Sequence, residues 1–339
     1  MKIRPRQKIL SVLLGLAMAS LSGQASALVT LSNGIYDVHV TEASGTWNAV
    51  TAAGNPVGAG RDLLYDGTTT STNFSSLRIY SPTGGSATYS FNGSGGGTDL
   101  NAYLTSQGAS SFGAAGQAYN QTWNVNGLQV AQDLIVTGTA YANSAIYHTV
   151  AFTNTGNSAV SFGWRNLYDW AVNDPGFDDG PSNAIEIGGA SVVATTTNEF
   201  LYAPAAGSYA RVAAAPPPAG GATYEPLLGL GFDPGFIAIL PVTAPELYGY
   251  VSWPSAFGTA FDYTPSGANV SGDSAGLSWF GRTIGSALSL GVGETLRLTQ
   301  TIYAVPPGQT PPGSVPEPAS LVLLGIGLAS LAATRRRKT

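Results

Sequence analysis

Hydrophobic and polar positions alternate with a period of two through much of residues 28–305, and no stretch there sustains a 3.6-residue apolar period. In "GLQVAQDLIVTG", Leu128, Val130, Leu134 and Val136 share one face while Gln129, Asp133 and Thr137 share the other, which predicts a strand with one buried side. Asn126-Gly127 just before it has the chemistry of a type I′ turn and predicts a hairpin. Two further β-rich runs carry Tyr147, Val150 and Phe152, then Val160, Phe162 and Trp164. The Asn154-Thr155-Gly156-Asn157 link between them predicts a second hairpin. More strands are expected at 35–41, 76–81, 86–92, 185–194, 236–240, 247–253, 277–282 and 286–304. About a dozen strands with short turns define an all-β chain, a large antiparallel β-sandwich.

Composition agrees with that class. The 339 residues include 44 Gly and 21 Pro, and only 10% are charged, far from the Ala-, Glu-, Lys- and Leu-rich make-up of helical bundles. Cysteine is absent, which excludes disulfides, thiolate metal sites and a thiol nucleophile. Eight of the fourteen basic residues are terminal, so residues 28–316 hold six Arg, no Lys and eighteen Asp or Glu, a balance of −12. Such a body repels nucleic acid and anionic headgroups and suits cations or neutral sugars.

Both ends read as addresses. Residues 1–27 combine four cations, an apolar stretch at 9–19 and Ala25-Ser26-Ala27, which is a secretory signal peptide cleaved by signal peptidase after Ala27. As an anchor helix those eleven apolar residues would reach only about 16 Å against a hydrocarbon core of about 30 Å. At the C-terminus an apolar run at 319–334 would reach about 24 Å, a single transmembrane helix once snorkelling and local thinning close the gap. Its flanking cations stay cytoplasmic, so the precursor is anchored in the inner membrane with its body outside. Residues 306–318 form a Pro-rich stalk of about 40 Å in polyproline II. The expected division is a signal peptide at 1–27, a body at 28–305, the stalk, and the tail at 319–339.

Pro316-Glu317-Pro318, the short apolar segment and Arg335-Arg336-Arg337-Lys338 together resemble the PEP-CTERM sorting signal of exported bacterial proteins. The resemblance implies cleavage near Pro-Glu-Pro by an exosortase-type membrane protease. It also implies a Gram-negative envelope, often that of a maker of extracellular polysaccharide, and a final place at the cell surface or beyond it. The competing reading is a plain single-pass anchor with a Pro-rich linker. Residues 136–174, with "FTNTGNSAV" and the aromatic run after it, resemble bacterial surface domains of the two-sheet supersandwich type. That architecture hosts sugar epimerases, polysaccharide lyases and structural modules, so it selects no function.

Candidate chemistry is sparse. The chain has two histidines, His39 and His148, each inside a predicted strand, too few for a histidine-cluster metal site and without a G-x-S-x-G elbow to support a triad. "YDWAVNDPGFDDG" at 168–180 concentrates carboxylates in a turn-rich loop, and Asp174, Asp178 and Asp179 are candidate calcium ligands. The spacing is not that of an EF-hand, so Asx turns and solvated carboxylates account for the loop equally well. A pair of these acids would also serve glycoside cleavage at a separation of about 5 to 10 Å. Gly95-Gly96-Gly97 lacks the Lys and helix of a phosphate loop. The expected function is a non-enzymatic structural or adhesive surface protein without a resident cofactor, associated with extracellular polysaccharide. The alternative is a carbohydrate-binding or carbohydrate-active protein.

Overall fold

The computed structural model describes residues 27–42, 44–56, 58–60, 63–64, 72–111, 116–169, 183–187, 192–195, 198–202, 210–214, 227–231, 246–268 and 274–305. These residues form an all-β body. A nine-stranded antiparallel sheet runs β13 (Val192–Thr195), β12 (Asn183–Ile187), β15 (Ala210–Ala214), β16 (Leu227–Gly231), β20 (Thr295–Val305), β10 (Ala145–Asn154), β9 (Leu128–Thr137), β8 (Gly116–Val125) and β7 (Leu104–Ser111). A second sheet runs β14 (Phe200–Tyr202), β17 (Leu247–Ser252), β18 (Ser274–Phe280), β11 (Val160–Asp169), β4 (Phe74–Tyr80), β5 (Ser86–Ser90) and β6 (Thr98–Asp99), and β19 (Leu288–Leu290) also pairs with β11. The third is a three-stranded sheet of β1 (Leu28–Ser32), β2 (Tyr36–Thr41) and β3 (Trp47–Thr51).

Alternation decides how they stack. On β9 the buried Leu128, Val130, Leu134 and Val136 face inward as the pattern predicts, and Gln132 joins them. Phe152 on β10 packs against Phe162 and Trp164 on β11, with ring centroids 4.7 and 5.3 Å apart, so the two large sheets meet face to face. Their shared core takes in Trp123, Phe91, Leu298 and Leu77. The small sheet covers the rest of the same face of the nine-stranded sheet, where Trp47 and Tyr36 pack with Leu134, Ile146 and Tyr168.

The β8–β9 hairpin forms as predicted. Asn126 and Gly127 take φ of 53° and 86°, both in the left-handed region a type I′ turn requires. The β10–β11 link is not a hairpin, because β10 pairs with β9 and β20 while β11 pairs with β4, β18 and β19. The Asn154 side chain arches it from one sheet to the other, donating to Ser158 O (2.8 Å) and Leu290 O (3.0 Å) and accepting from Gly156 N (3.0 Å). The run predicted at 286–304 divides into β19 and β20 at a turn held by Glu294, which accepts from Gly291 N at 2.5 Å. The strand predicted at 236–240 lies outside the described residues.

The outer face of the second sheet is covered by a strap, residues 253–268, that opens with the one-turn helix α1 (Trp253–Phe257). Phe257 packs on Phe74 (5.5 Å), and Trp279 donates its indole N–H to Phe261 O (3.0 Å). Gly95 seats the strap from the side. It has φ +65°, and a Cβ there would lie 2.3 Å from Thr259 C and 2.4 Å from Ala260 N. Gly95→Ala is therefore expected to lower stability by about 1–3 kcal/mol, read as a drop in thermal midpoint, since both backbone strain and displacement of the strap act against it.

Candidate functional sites

Three places bring polar chemistry together. The first is a buried belt between the two large sheets. His148 on β10 stands opposite Gln300 on β20, and its ring nitrogens meet the Tyr168 hydroxyl (Nδ1, 2.7 Å) and Gln132 Oε1 (Nε2, 2.9 Å). Gln132 in turn donates to Gly45 O at 3.2 Å. Gln300 Oε1 accepts from Tyr168 and Asn166, and Asn166 Oδ1 accepts from Ser75 Oγ and Trp164 Nε1, both at 2.7 Å. Burial pushes the His148 pKa down to about 3 and the Tyr168 pKa well above its usual value. The imidazole is neutral, since burial disfavours its charged form.

His148, Tyr168, Gln132 and Gln300 are each 2% exposed or less. A substrate has no route to them. The belt instead fixes the register of the two sheets, since a slip of one residue would strand every member without a partner. The other histidine, His39 on β2, lies 3.0 Å from Asn48 Oδ1, its cross-strand partner on β3.

The second place lies under the strap. Arg165 on β11 points away from the belt, is fully buried, and makes one long bond from Nη1 to Thr259 Oγ1 (3.3 Å). Its Nε and Nη2 have no hydrogen-bond partner. Arg78 on β4 stacks on Phe261 at 4.4 Å and pairs with Asp262 at 2.6 Å. Both ends of the strap are tied to one carboxylate, Glu199, which accepts from Ser252 N (2.9 Å), Ser266 N (2.6 Å), Ser266 Oγ (2.9 Å) and the Tyr263 hydroxyl. Burial alone would raise the Glu199 pKa, but these bonds favour the charged form and hold it below the usual value. Among the described residues these contacts make a latch.

The third place is a groove of about 340 Å³ at one end of the sandwich, formed by the β4–β5, β8–β9 and β10–β11 turns and Ile284. Among the described residues that line it, none has an acidic or basic side chain.

Asp174, Asp178 and Asp179 lie outside the described residues, as do Pro316, Glu317, Pro318, Arg335, Arg336 and Arg337 and the signal segment before Ala27. Of the candidate loop at 168–180, Tyr168 and Asp169 end β11, and Asp169 N donates to Asn73 Oδ1 at 2.6 Å. Among the described residues no group of three His, Asp or Glu is placed to hold a metal ion, and no helix is long and apolar enough to cross a membrane. Ala27 is exposed, and its carbonyl accepts from Glu42 N next to the first ladder pair of β1 and β2.

Residues 314–338 match the PEP-CTERM protein-sorting motif. The chain therefore carries the signal of an exported protein that exosortase processes. No curated protein matches the sequence. Among solved structures, an aldose epimerase homologue from C. elegans is 11% identical, with 83% of this chain and 99% of that one covered at a TM-score of 0.49. A galactose mutarotase-like protein from Lactobacillus casei (10%, 82% and 100%, 0.46) and a galactose mutarotase related enzyme from Lactobacillus acidophilus (8%, 82% and 97%, 0.45) are similar to the same extent. These likenesses fall below the level at which a shared site or reaction follows.

Proposed function

We propose that the mature protein is a non-enzymatic structural or adhesive β-sandwich of the cell surface or extracellular matrix of a Gram-negative bacterium, associated there with exopolysaccharide. The observation that carries this reading is the sorting motif at 314–338. The body suits the role. Its acidic, Lys-free composition keeps it off nucleic acid and anionic lipid, and its polar networks are sealed between sheets or beneath a latched strap.

The test separates recognition from retention. With Pro316, Glu317 and Pro318 all changed to Ala, export and membrane insertion should persist because the 319–334 run and the arginines are intact, and the unprocessed tail should stay on the protein. Mass spectrometry of the C-terminus, in a host with the processing enzyme, reads this directly. Trimming as efficient as the parent's would reduce Pro-Glu-Pro to a linker. Incubating the exported protein with host polysaccharide should release no new reducing ends; release would favour the carbohydrate-active alternative.

A further inference from the structure

We infer that the groove at the turn end of the sandwich is a binding site for neutral saccharide units. The assignment rests on the surface-matrix reading for the ligand's source and on the groove's own chemistry for the ligand's class. At about 340 Å³ the groove falls within the range of small-molecule sites, about 300–1,000 Å³.

Its walls are held before any ligand arrives. Thr155 donates to Gly127 O from both its backbone N (2.7 Å) and its hydroxyl (2.9 Å), clasping the β10–β11 arch to the β8–β9 turn. A Cβ on Gly127 would lie 2.9 Å from Gly156 Cα, so the two turns touch backbone to backbone. Asn154 spends its amide on Ser158 O, Leu290 O and Gly156 N, and the Tyr80 hydroxyl is bound to Gly281 O (2.9 Å) and Arg282 O (2.6 Å). These groups build the site and are not available to a ligand.

Other lining groups are uncommitted. The Asn157 amide and the Ser158 and Ser161 hydroxyls make no hydrogen bond within the described chain, and Asn126 uses only Nδ2, on the Tyr89 hydroxyl (3.2 Å), leaving Oδ1. All are neutral, and amides and hydroxyls both donate and accept, as the hydroxyls of a sugar ring do. Facing them are Ile79, Val160 and Ile284, the last 63% exposed and one of three large hydrophobics so exposed among the described residues. An aliphatic wall beside neutral polar groups matches a pyranose, with C–H groups on its faces and hydroxyls at its edges. A phosphate, uronate or amine would enter without a counter-charge and lose its hydration. An open groove of this kind binds one unit weakly, and a polymer that repeats the unit engages many copies of the protein together.

The experiment uses the processed, exported protein. It is titrated by calorimetry with glucan, mannan and galactan oligosaccharides of about two to six units, and with oligogalacturonate as the charged counterpart. Saturable binding of at least one neutral series is expected, weakened about tenfold or more by Asn157→Ala, the equivalent of about 1.4 kcal/mol, and less by Ile284→Ser. Both variants should melt with the parent, since neither side chain contributes a bond to the fold. Absence of binding to every neutral series, binding indifferent to both substitutions, or preference for oligogalacturonate would each overturn the assignment. Cell-surface location is read independently, from the Pro-Glu-Pro variant: a correctly sorted protein that binds no neutral sugar defeats the groove alone, and a sugar binder that is never exported defeats the surface reading alone.

Discussion

Acidification from pH 6.5 to pH 3 should remove on the order of 5 kcal/mol of stability through His148 alone, at 1.36 kcal/mol per pH unit between the two pKa values. The sign follows from burial. The folded imidazole is held neutral with its pKa pushed from 6.5 to about 3, while in the unfolded chain it titrates at its ordinary value. Above pH 6.5 both states are neutral and the group is silent. As pH falls below that, the unfolded chain takes up a proton the folded one refuses, so stability declines until the folded ring also protonates near pH 3. The groups that touch the ring, Tyr168, Gln132 and Trp47, include no carboxylate to soften this.

Two carboxylates also contribute as the pH falls. Glu199, whose folded pKa is lowered, adds a loss of the same sign only below about pH 4.5, and Asp133, raised by burial, works in the opposite direction near its own titration. Across the window from pH 6.5 to 4.5 the difference in slope between the parent and a variant without His148 therefore reports the histidine. His148→Gln keeps an acceptor and a donor in the belt and should start about 1–2 kcal/mol less stable at pH 7, yet lose stability less steeply than the parent across that window. Urea unfolding at several pH values measures both. A parent slope that survives in the variant would place the acid sensitivity elsewhere.

The same residues show what the sequence made legible. Period-two alternation placed β9, β10 and β11 because each strand has one face against the opposite layer, and Asn126-Gly127 fixed a hairpin because only a few residues tolerate two positive φ values in succession. Asn154-Thr155-Gly156-Asn157 offers the same turn chemistry for an arch between sheets as for a hairpin within one. Sheet membership is settled by distant partners such as Leu290, which local sequence does not name. The belt left a trace that was open to reading: Gln132, His148, Asn166 and Gln300 occupy inward positions of otherwise apolar alternations. Polar residues at such positions signal a buried network. The groove left no trace, because Asn126 lies on one turn and Asn157, Ser158 and Ser161 on another, and each resembles any surface loop until the fold clasps the two together. The sorting motif was legible for the opposite reason: it is read as a linear string, and no fold is needed to bring Pro316, Glu317 and Pro318 together.

Arg165→Met should stabilise the protein by about 1–4 kcal/mol, against the usual direction for a change at a fully buried position. Met loses the contact of the guanidinium with the Phe74 ring (5.3 Å), worth about 0.5–2 kcal/mol, and the 3.3 Å bond to Thr259, worth about 1 kcal/mol at most. Against that stands a buried cation with Nε and Nη2 unpaired, each such donor costing about 1–3 kcal/mol and the ion itself several more. Asp262, the carboxylate that acts on it among the described residues, is 66% exposed and already paired with Arg78 at 2.6 Å, so it offsets little, and burial pushes the Arg165 pKa down to about 9. Met retains most of the side-chain volume under the strap and brings no charge. Arg165→Ala removes the charge as well but leaves a cavity against Phe74 and Thr259, so it should fall at least about 2 kcal/mol below the Met variant. Thermal melts of the three proteins at pH 7 decide the order. If Arg165→Met melts below the parent, the guanidinium has an anionic partner in the folded protein, and the strap closes over an ion pair instead of an isolated charge.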